Sequence, residues 1–394
     1  MFNDYEILGR KGSLFRKNFD EYAEALEDKI KGKNFLVIGA GGSIGSACAK
    51  EIFARGANLL HCVDLSENGL VELVRTIRSS KGYTTANFDT FALDCGSVVF
   101  ESFFHQHHYD YVLNLTALKH VRSENSVYTM LRMIEVNILN TVKIHELCSD
   151  LGVKKYFCVS TDKAANPTNF MGATKRAMEL CLFGTEAIPP ISSARFANVA
   201  FSQGSLLEGF THRLRQRQPI SAPSDIERYF ITQEEAGEIC ILSTLLGENG
   251  EILFPDSSNN IQLTSFVEII EKYLLTVDRK PFYVEDEEEA RRICENGIPP
   301  GFWPVNLFKS DTNGEKAYEE FYLDDEKILN EKYINLASIV YSPAKTVSEI
   351  TEFLNELNAV DINSVSREQL IELLQSFVPG FNHRETGKNL NQRM

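Results

Sequence analysis

The chain has 394 residues, of which 43% are hydrophobic and 24% charged, as in an ordinary globular protein with one or two domains. Its formal net charge is −15 and no stretch is rich in Lys and Arg, which argues against nucleic-acid binding. We see no signal-peptide pattern and no apolar run near the ~18 residues needed to span a bilayer, so we expect a cytoplasmic protein without a membrane segment. The eight cysteines show no Cys-x-x-Cys spacing and are expected to be reduced core thiols.

Strand and helix patterns alternate through the first half of the chain, after a charged helical arm over residues 1–33. Apolar strands are predicted at 34–38, 58–63, 90–93, 111–115 and 156–159, and helices at 43–55, 70–77, 127–151 and 172–182. This rhythm predicts an α/β fold with a Rossmann-like, doubly wound parallel sheet in residues 34–203.

Beyond residue 193 the pattern becomes irregular. Strands are still predicted at 194–199 and 251–254, so segments near 228–255 are expected to return to the first domain. The remainder of 204–346 is predicted to form a smaller, discontinuous lobe. Residues 347–394 hold two amphipathic helices, at 347–357 and 367–377, and a polar tail.

A glycine-rich turn joins the first strand to the first helix. Gly39, Gly42 and Gly45 give Gly-x-x-Gly-x-x-Gly, and Ser43 and Ile44 open the helix. Small residues let the backbone approach a pyrophosphate, and the helix N-terminus supplies free N–H groups and a positive dipole. With a strand before it and a helix after it, the turn predicts a dinucleotide site rather than a merely tight connection.

Asp64 ends the next strand, where a carboxylate can accept hydrogen bonds from the adenosine ribose. Its charge would repel a 2′-phosphate and Leu65 offers no compensation, so we prefer NAD to NADP and keep NADP as the alternative. Asp94, after the third strand, is placed to meet the adenine. Further cofactor contacts are expected from Ser66, Leu115, Thr116 and Ala117.

An acid/base cluster is predicted immediately after the strand at 156–159. Thr161, Asp162 and Lys163 follow this strand at the edge where open α/β sheets place their ligands. Met171 and Lys175 are four residues apart on the following helix and therefore share one face. An isolated Asp-Lys pair is more often an ordinary surface ion pair. Here its position directly after a buried strand favours a catalytic role.

Together these features resemble the extended short-chain dehydrogenase/reductases, and more narrowly the bacterial nucleotide-sugar 4,6-dehydratases of capsule, flagellin-glycan and nonulosonic-acid pathways. The matching pieces run from the arm to about residue 321: Leu8-Gly9-Arg10, the glycine turn, Asp64 with Ser66-Glu67-Asn68, 117–121, Asn137, 160–175, 195–199, Gly204-Ser205, 228–230 and 314–320. Most of the superfamily has Tyr as the base where this chain has Met171, whose thioether cannot titrate. The subgroup resembling UDP-N-acetylglucosamine 4,6-dehydratases has the same Met with Thr-Asp-Lys.

The resemblance implies a redox-neutral dehydration. C4 of the sugar is oxidised with hydride transfer to the nicotinamide, while Thr161 hydrogen-bonds near the C4 oxygen. Lys163, if burial and its neighbours hold it neutral, removes the C5 proton, and Asp162, if protonated, donates to the departing C6 hydroxyl. The hydride returns to C6, so a tightly bound cofactor is regenerated in each cycle. Lys175 holds the nicotinamide ribose, and the group that takes the C4 hydroxyl proton stays open.

The lobe is expected to bind a UDP-sugar, with UDP-N-acetylglucosamine as the first choice. The resemblance implies contacts from Lys119, His120, Asn198, Ser205, Arg228 on the pyrophosphate and Glu315 on the uridine ribose. Ala197 and Gln203 depart from the family pattern and leave the exact sugar and nucleotide open, with GDP and dTDP as alternatives.

Other functions stay open at this point. They are dehydration with C5 inversion, nucleotide-sugar epimerisation and a non-catalytic dinucleotide sensor. We predict no metal site, because His105, His107 and His108 lack a suitably spaced carboxylate or Cys. The helices at 127–151 and 172–182 resemble those that pair subunits in the superfamily, so a homodimer or larger assembly is expected.

Overall fold

The computed structural model describes residues 3–83, 87–184, 188–256, 261–310 and 319–383. The strands are β1 Asn34–Ile38, β2 Leu59–Asp64, β3 Asn87–Ala92, β4 Tyr111–Asn114, β5 Lys155–Thr161, β6 Ile191–Phe196, β7 Asn198–Val199, β8 Ile220–Pro223, β9 Glu227–Ile231, β10 Glu251–Pro255, β11 Leu263–Ser265, β12 Lys280–Val284, β13 Phe302–Phe308, β14 Lys327–Tyr333 and β15 Leu336–Val340.

The α-helices are α1 Asp4–Ile7, α2 Arg16–Glu21, α3 Ala23–Ile30, α4 Ser43–Ala54, α5 Glu67–Lys81, α6 Val98–His105, α7 Val127–Ile134, α8 Asn140–Asp150, α9 Phe170–Phe183, α10 Leu206–Arg215, α11 Gln233–Leu246, α12 Phe266–Leu275, α13 Glu287–Asn296, α14 Val347–Asn358 and α15 Arg367–Phe377. Short 3₁₀ turns cover Val121–Asn125 and Asp162–Ala164, and a π turn covers Glu135–Leu139.

One large sheet organises the molecule, with the strand order β14-β15-β10-β6-β5-β4-β1-β2-β3. From β3 to β10 all neighbours are parallel, and β15 and β14 extend the sheet antiparallel at one edge. The predicted doubly wound α/β sheet is therefore confirmed. Chain order reverses between β1 and β4, and the crevice at such a switch point is where open α/β sheets bind ligands.

Two small three-stranded sheets lie outside the large sheet, with orders β11-β9-β7 and β12-β13-β8. They share an apolar core with helices α10 and α12, which includes Phe210, Ile269 and Val305. A smaller lobe was expected over these segments; the exact division of the chain into domains stays a prediction.

The predicted helix over 127–151 is present, but its middle turn is distorted. Glu135–Leu139 form a π turn between α7 and α8, and the backbone stays helical through it. Asn137 lies in this turn: its Oδ1 accepts from Leu118 N at 3.0 Å, and its Nδ2 donates to Leu118 O at 3.1 Å and Thr174 Oγ1 at 2.9 Å. A single π turn inside an α-helix commonly marks a functional position, and this one fixes the segment that follows β4.

Helix α9 is buried along its whole length. The two predicted C-terminal helices, α14 and α15, help to cover it: Phe353 and Phe377 stack at 3.8 Å between ring centroids, and both belong to the apolar cluster that contains Phe170 and Leu180 of α9. Helix α9, which was expected to help pair subunits, is therefore covered by the same chain. Assembly into a homo-oligomer stays a prediction.

The N-terminal arm packs on α11, where Arg10 pairs with Glu235 at 3.0 Å. Across the parts of the chain that the structure describes, no helix is both long and apolar enough to cross a membrane.

Candidate active site

The glycine turn requires residues without a side chain at two positions. Gly39 has φ +83°, and a Cβ added there would lie 2.8 Å from the carbonyl carbon of Leu115. A Cβ on Gly45 would lie 2.0 Å from Gly39 O, so neither residue tolerates a side chain. Gly42 precedes α4 and provides no side-chain cap for its first N–H groups. These N–H groups are therefore available to an anion such as a pyrophosphate.

Asp64 is fixed beside this turn. Its Oδ2 accepts from Gly41 N at 2.9 Å and its Oδ1 from Ser66 N at 2.7 Å. At the start of α4, Ser43 Oγ accepts from Gln203 N at 3.0 Å, and the next residue, Ile44, is half-buried. The close-packed glycines, the uncapped helix N-terminus and the fixed carboxylate fit a dinucleotide, although the individual contacts predicted from sequence stay predictions.

The ends of β3 and β4 are held by polar contacts. Asp94 Oδ2 accepts from Arg132 at 3.2 Å, so the residue expected to meet the adenine is engaged in an ion pair. Thr116 donates through its N and Oγ1 to Asn114 Oδ1, at 3.1 and 2.6 Å, between the half-buried Leu115 and Ala117. Asn114 was missed from the sequence, and its only signal is a polar residue that ends an otherwise apolar strand.

Thr161, Asp162 and Lys163 meet at the end of β5. Thr161 is the last strand residue, and the two others lie in the 3₁₀ turn that follows. Asp162 Oδ1 accepts from Thr161 Oγ1 at 2.9 Å and from Lys163 Nζ at 3.0 Å. In the predicted acid/base cluster, the carboxylate therefore contacts both the hydroxyl and the amine.

The charge on Lys163 differs from the sequence-based expectation. Burial opposes this charge, but Asp162 and Glu319, whose Oε1 lies 3.6 Å from Lys163 Nζ, outweigh burial and hold the pKa of the amine above its usual value. The sequence-based mechanism requires a neutral Lys163 amine, and the two carboxylates beside this amine favour its charged form in this state of the protein. Arg228 acts in the opposite sense and lowers the same pKa.

Met171 and Lys175 lie on α9 as predicted, and Asn169 is its N-cap. The Met171 side chain is buried in an apolar cluster, and its backbone N–H donates to Glu124 Oε1 at 3.0 Å. Lys175 Nζ donates to Val159 O at 2.9 Å, and burial lowers the pKa of Lys175 to about 8. The amine is thus held by the end of β5, and its predicted contact with the nicotinamide ribose stays a prediction.

Two predicted substrate residues meet the turn at 202–205. Lys119 Nζ donates to Ser202 Oγ at 3.4 Å. The residue is exposed by its accessible area, but partial desolvation of its amine by the surrounding protein lowers the pKa of Lys119. The His120 ring lies against Gly204, where an added Cβ would be 2.7 Å from the ring. Because Gln203 in the same turn contacts Ser43, the glycine turn and the Lys119-His120 segment approach each other here.

The remaining predicted substrate residues are more dispersed. Arg228 on β9 is buried and donates to Glu227 O at 2.9 Å. Ser205 Oγ accepts from Glu208 N at 3.1 Å as the N-cap of α10, so its hydroxyl has a structural role. Asn198 is half-buried in β7, and Glu315 lies outside the described residues.

A buried ion network behind β5 was also missed. Arg195 donates to both carboxylate oxygens of Glu179, at 3.0 and 2.8 Å, and to both of Glu326, at 2.7 and 2.8 Å. Ser160, next to Thr161, donates to Glu179 Oε1 at 2.6 Å. The signal in the sequence was a set of charged residues inside an otherwise apolar helix and strand.

The chain has relatives among proteins of surface-polysaccharide and nucleotide-sugar metabolism. It is 26% identical over 300 residues to the capsular polysaccharide biosynthesis protein CapD of Staphylococcus aureus, covering 75% of this chain and 48% of that protein. It is 30% identical over 153 residues to the inverting UDP-N-acetylglucosamine 4,6-dehydratase of Campylobacter jejuni, covering 37% and 45%. It is 26% identical over 254 residues to the UDP-glucose 4-epimerase of Rickettsia prowazekii, covering 59% and 73%. The chain thus spans about half the length of the first two.

Solved structures share the fold. Pen from Bacillus thuringiensis superposes with a TM-score of 0.65 at 21% identity, covering 88% of this chain and 98% of that one. DesIV of Streptomyces venezuelae, a dTDP-glucose 4,6-dehydratase with NAD and DAU bound, gives 0.55 at 14% identity, covering 81% and 94%.

The family assignment comes from a sequence model described as "Polysaccharide biosynthesis protein", which matches residues 35–340. The match includes the glycine turn, the cluster at the end of β5 and most of the small lobe. This chain belongs to the polysaccharide biosynthesis protein family, and its resemblance to nucleotide-sugar dehydratases and epimerases of the extended short-chain dehydrogenase/reductase type is confirmed.

Proposed function

We propose that this protein is a nucleotide-sugar 4,6-dehydratase that uses NAD. Its proposed substrate is UDP-N-acetylglucosamine and its product a UDP-4-keto-6-deoxy-N-acetylhexosamine, for bacterial surface glycan synthesis. The observation that carries the proposal is the contact between Asp162 and Lys163 at the end of β5, on a chain that has Met171 where a titratable Tyr is usual. The dehydratase and epimerase names of its relatives support the broader class of nucleotide-sugar enzymes.

A bound nicotinamide dinucleotide would supply oxidation at C4 and reduction at C6. The glycine turn and the N-terminus of α4 would hold its pyrophosphate, and Asp64 its adenosine ribose. Asp64 favours NAD over NADP because a carboxylate repels a 2′-phosphate.

The protons are handled by the Asp162-Lys163 pair, whose side chains are in direct contact. When the Lys163 ammonium gives a proton to Asp162, one N–H bond breaks, one O–H bond forms and the total charge is unchanged. The neutral amine can then take the C5 proton, and the protonated carboxyl can give its proton to the C6 hydroxyl, which departs as water. Lys163 returns its proton to C5 when C6 is reduced. The proton released from the C4 hydroxyl then restores the ammonium, so one water leaves and both groups regain their starting charges. Thr161 is placed to hydrogen-bond the C4 oxygen.

A simple C4 epimerase is less well supported. Such an enzyme oxidises and reduces C4 alone and has no need of an acid and a base at C5 and C6, which the Asp162-Lys163 pair could supply. C5 inversion is compatible with the same amine and carboxyl, because it depends on the face from which C5 is reprotonated. A non-catalytic sensor transfers no protons, so it would not need the contact between Asp162 and Lys163.

The test is incubation of the purified protein with UDP-N-acetylglucosamine, followed by mass spectrometry. Loss of one water without stoichiometric NADH supports the proposal, an isomer of unchanged mass supports an epimerase, and no product from any UDP-, GDP- or dTDP-sugar supports a sensor. The stereochemistry of solvent proton incorporation at C5 separates retention from inversion.

Lys163→Ala should abolish dehydration and leave NAD bound. The matched control is Lys31→Ala, because Lys31 is an exposed lysine whose partner Glu27 is also exposed. Unchanged turnover in Lys163→Ala would exclude Lys163 as the base.

A further inference from the structure

A second carboxylate approaches Lys163 from a distant part of the sequence. Glu319 is 5% exposed, and its Oε1 lies 3.6 Å from Lys163 Nζ. Asp162 Oδ1 is 3.0 Å from the same nitrogen. A buried carboxylate is costly unless it is paired with a positive charge, so the position of Glu319 beside the ammonium requires an explanation.

The segment that carries Glu319 is fixed to the core of the large sheet. Arg195 on β6 donates to Phe321 O at 2.8 Å, and it holds both oxygens of Glu326. Glu326 Oε2 in turn accepts from Leu323 N at 2.9 Å. The Phe321 ring stacks on Phe254 at 5.7 Å. Glu319 is two residues from Phe321, so this anchor limits how far its carboxylate can move.

The charged groups around Lys163 come from three segments. Asp162 lies on the same turn, Glu319 on the anchored segment and Arg228 on β9, and the two carboxylates outweigh burial and the arginine. Removal of one carboxylate would therefore leave the ammonium with a single negative partner beside a positive one.

We propose that Glu319 is a positioning residue that holds the Lys163 ammonium and stabilises its positive charge, and that Arg195 and Glu326 keep Glu319 in place. The role of Glu319 in catalysis rests on the proposed function, because that function makes Lys163 the base. As Lys163 takes the C5 proton, positive charge develops on its nitrogen, and a fixed carboxylate nearby lowers the energy of that charge. Glu319 thus acts through Lys163 and needs no contact with the sugar.

The test measures the titration of the Lys163 amine directly. The full-length protein is labelled with a trace of acetic anhydride across a pH series, and the peptide containing Lys163 is quantified by mass spectrometry. In Glu319→Gln, labelling at a fixed pH below the midpoint should rise on the order of tenfold, because an opposite charge within about 4–6 Å moves a titration by ~1–3 pH units. Glu319→Asp, which keeps the charge, should restore much of the wild-type profile.

The matched control is Glu320→Gln. Glu320 is adjacent in sequence but exposed, and it accepts from Asn166 at 2.8 Å; its removal should leave the Lys163 profile unchanged. Equal labelling profiles in wild type and Glu319→Gln would overturn the proposal. Loss of turnover with an unchanged profile would also overturn it, because that result indicates a merely structural role.

Labelling needs no substrate. Failure of the wild-type protein to dehydrate any sugar therefore refutes the proposed function and leaves this test decisive.

Discussion

Replacement of Glu179 by Gln should destabilise the protein by several kcal/mol at neutral pH. Glu179 has no exposed side-chain area, and it accepts from Ser160, Arg176 and both sides of the Arg195 guanidinium. Removal of one partner from a buried ion pair costs roughly 3–5 kcal/mol, because the other charge stays buried without compensation. Glu326 still pairs with Arg195, which places the expected loss at the lower end of that range.

The pH dependence gives a second measure of the same interaction. Burial raises the pKa of Glu179, but Arg195, Arg176 and the Ser160 hydroxyl outweigh it and lower the pKa from 4.5 to about 2. At about 1.4 kcal/mol for each pH unit, this interval corresponds to about 3 kcal/mol. Because the folded pKa is depressed, the stabilisation is complete above about pH 4.5 and is lost as the pH falls through about 2.

Urea unfolding followed by circular dichroism at several pH values tests this reasoning. The free energy of unfolding should be about 3 kcal/mol lower in Glu179→Gln than in wild type at pH 7. This difference should narrow steadily as the pH falls below about 4.5. Glu27→Gln removes a carboxylate from an exposed pair with Lys31 and should change stability by less than about 0.5 kcal/mol. A gap below about 1 kcal/mol at pH 7, or one that does not change with pH, would refute the argument.

Other substitutions test the cofactor turn and the C-terminal helices. Gly45→Ala should abolish NAD binding in calorimetry, because its Cβ would lie 2.0 Å from a backbone oxygen, while Gly12→Ala, with no atom within 4 Å of its Cβ, should bind normally. Asp64→Asn should raise the affinity for NADP relative to NAD about fivefold, as loss of a like-charge contact of about 1 kcal/mol predicts, and an unchanged ratio would remove Asp64 from the ribose site. Leu374→Ala should cost about 2–5 kcal/mol in urea unfolding, because Leu374 is fully buried, whereas Ile362→Ala at a 62% exposed position should cost little.

The parts of the fold that depend on local patterns could be predicted from the sequence. Buried parallel strands appear as short apolar runs, so β1 and β5 were placed within two residues of their ends. The glycine turn also depends on neighbouring residues alone. For the same reason, the contact between Asp162 and Lys163 could be foreseen from their adjacency.

Features that depend on distant residues could not be predicted. Helical periodicity continues through Glu135–Leu139 and gives no sign of the π turn, in which Asn137 bonds to the distant Leu118 and Thr174. The charge of Lys163 depends on Glu319, which lies 3.6 Å away in space but on a separate segment that only the fold brings near. A sequence pattern carries no information about such pairs, because their energy depends on burial and distance.

The cover over α9 also has a consequence for how the protein is made. The helices at 347–358 and 367–377 leave the ribosome after every residue that they cover. During synthesis, the apolar side of the helix that bears Met171 and Lys175 is therefore exposed for the time needed to translate the intervening part of the chain. Exposed apolar surface of this kind is where nascent chains aggregate or recruit chaperones. The packing around α9, next to the proposed reaction centre, is complete only after the last of these helices has been translated.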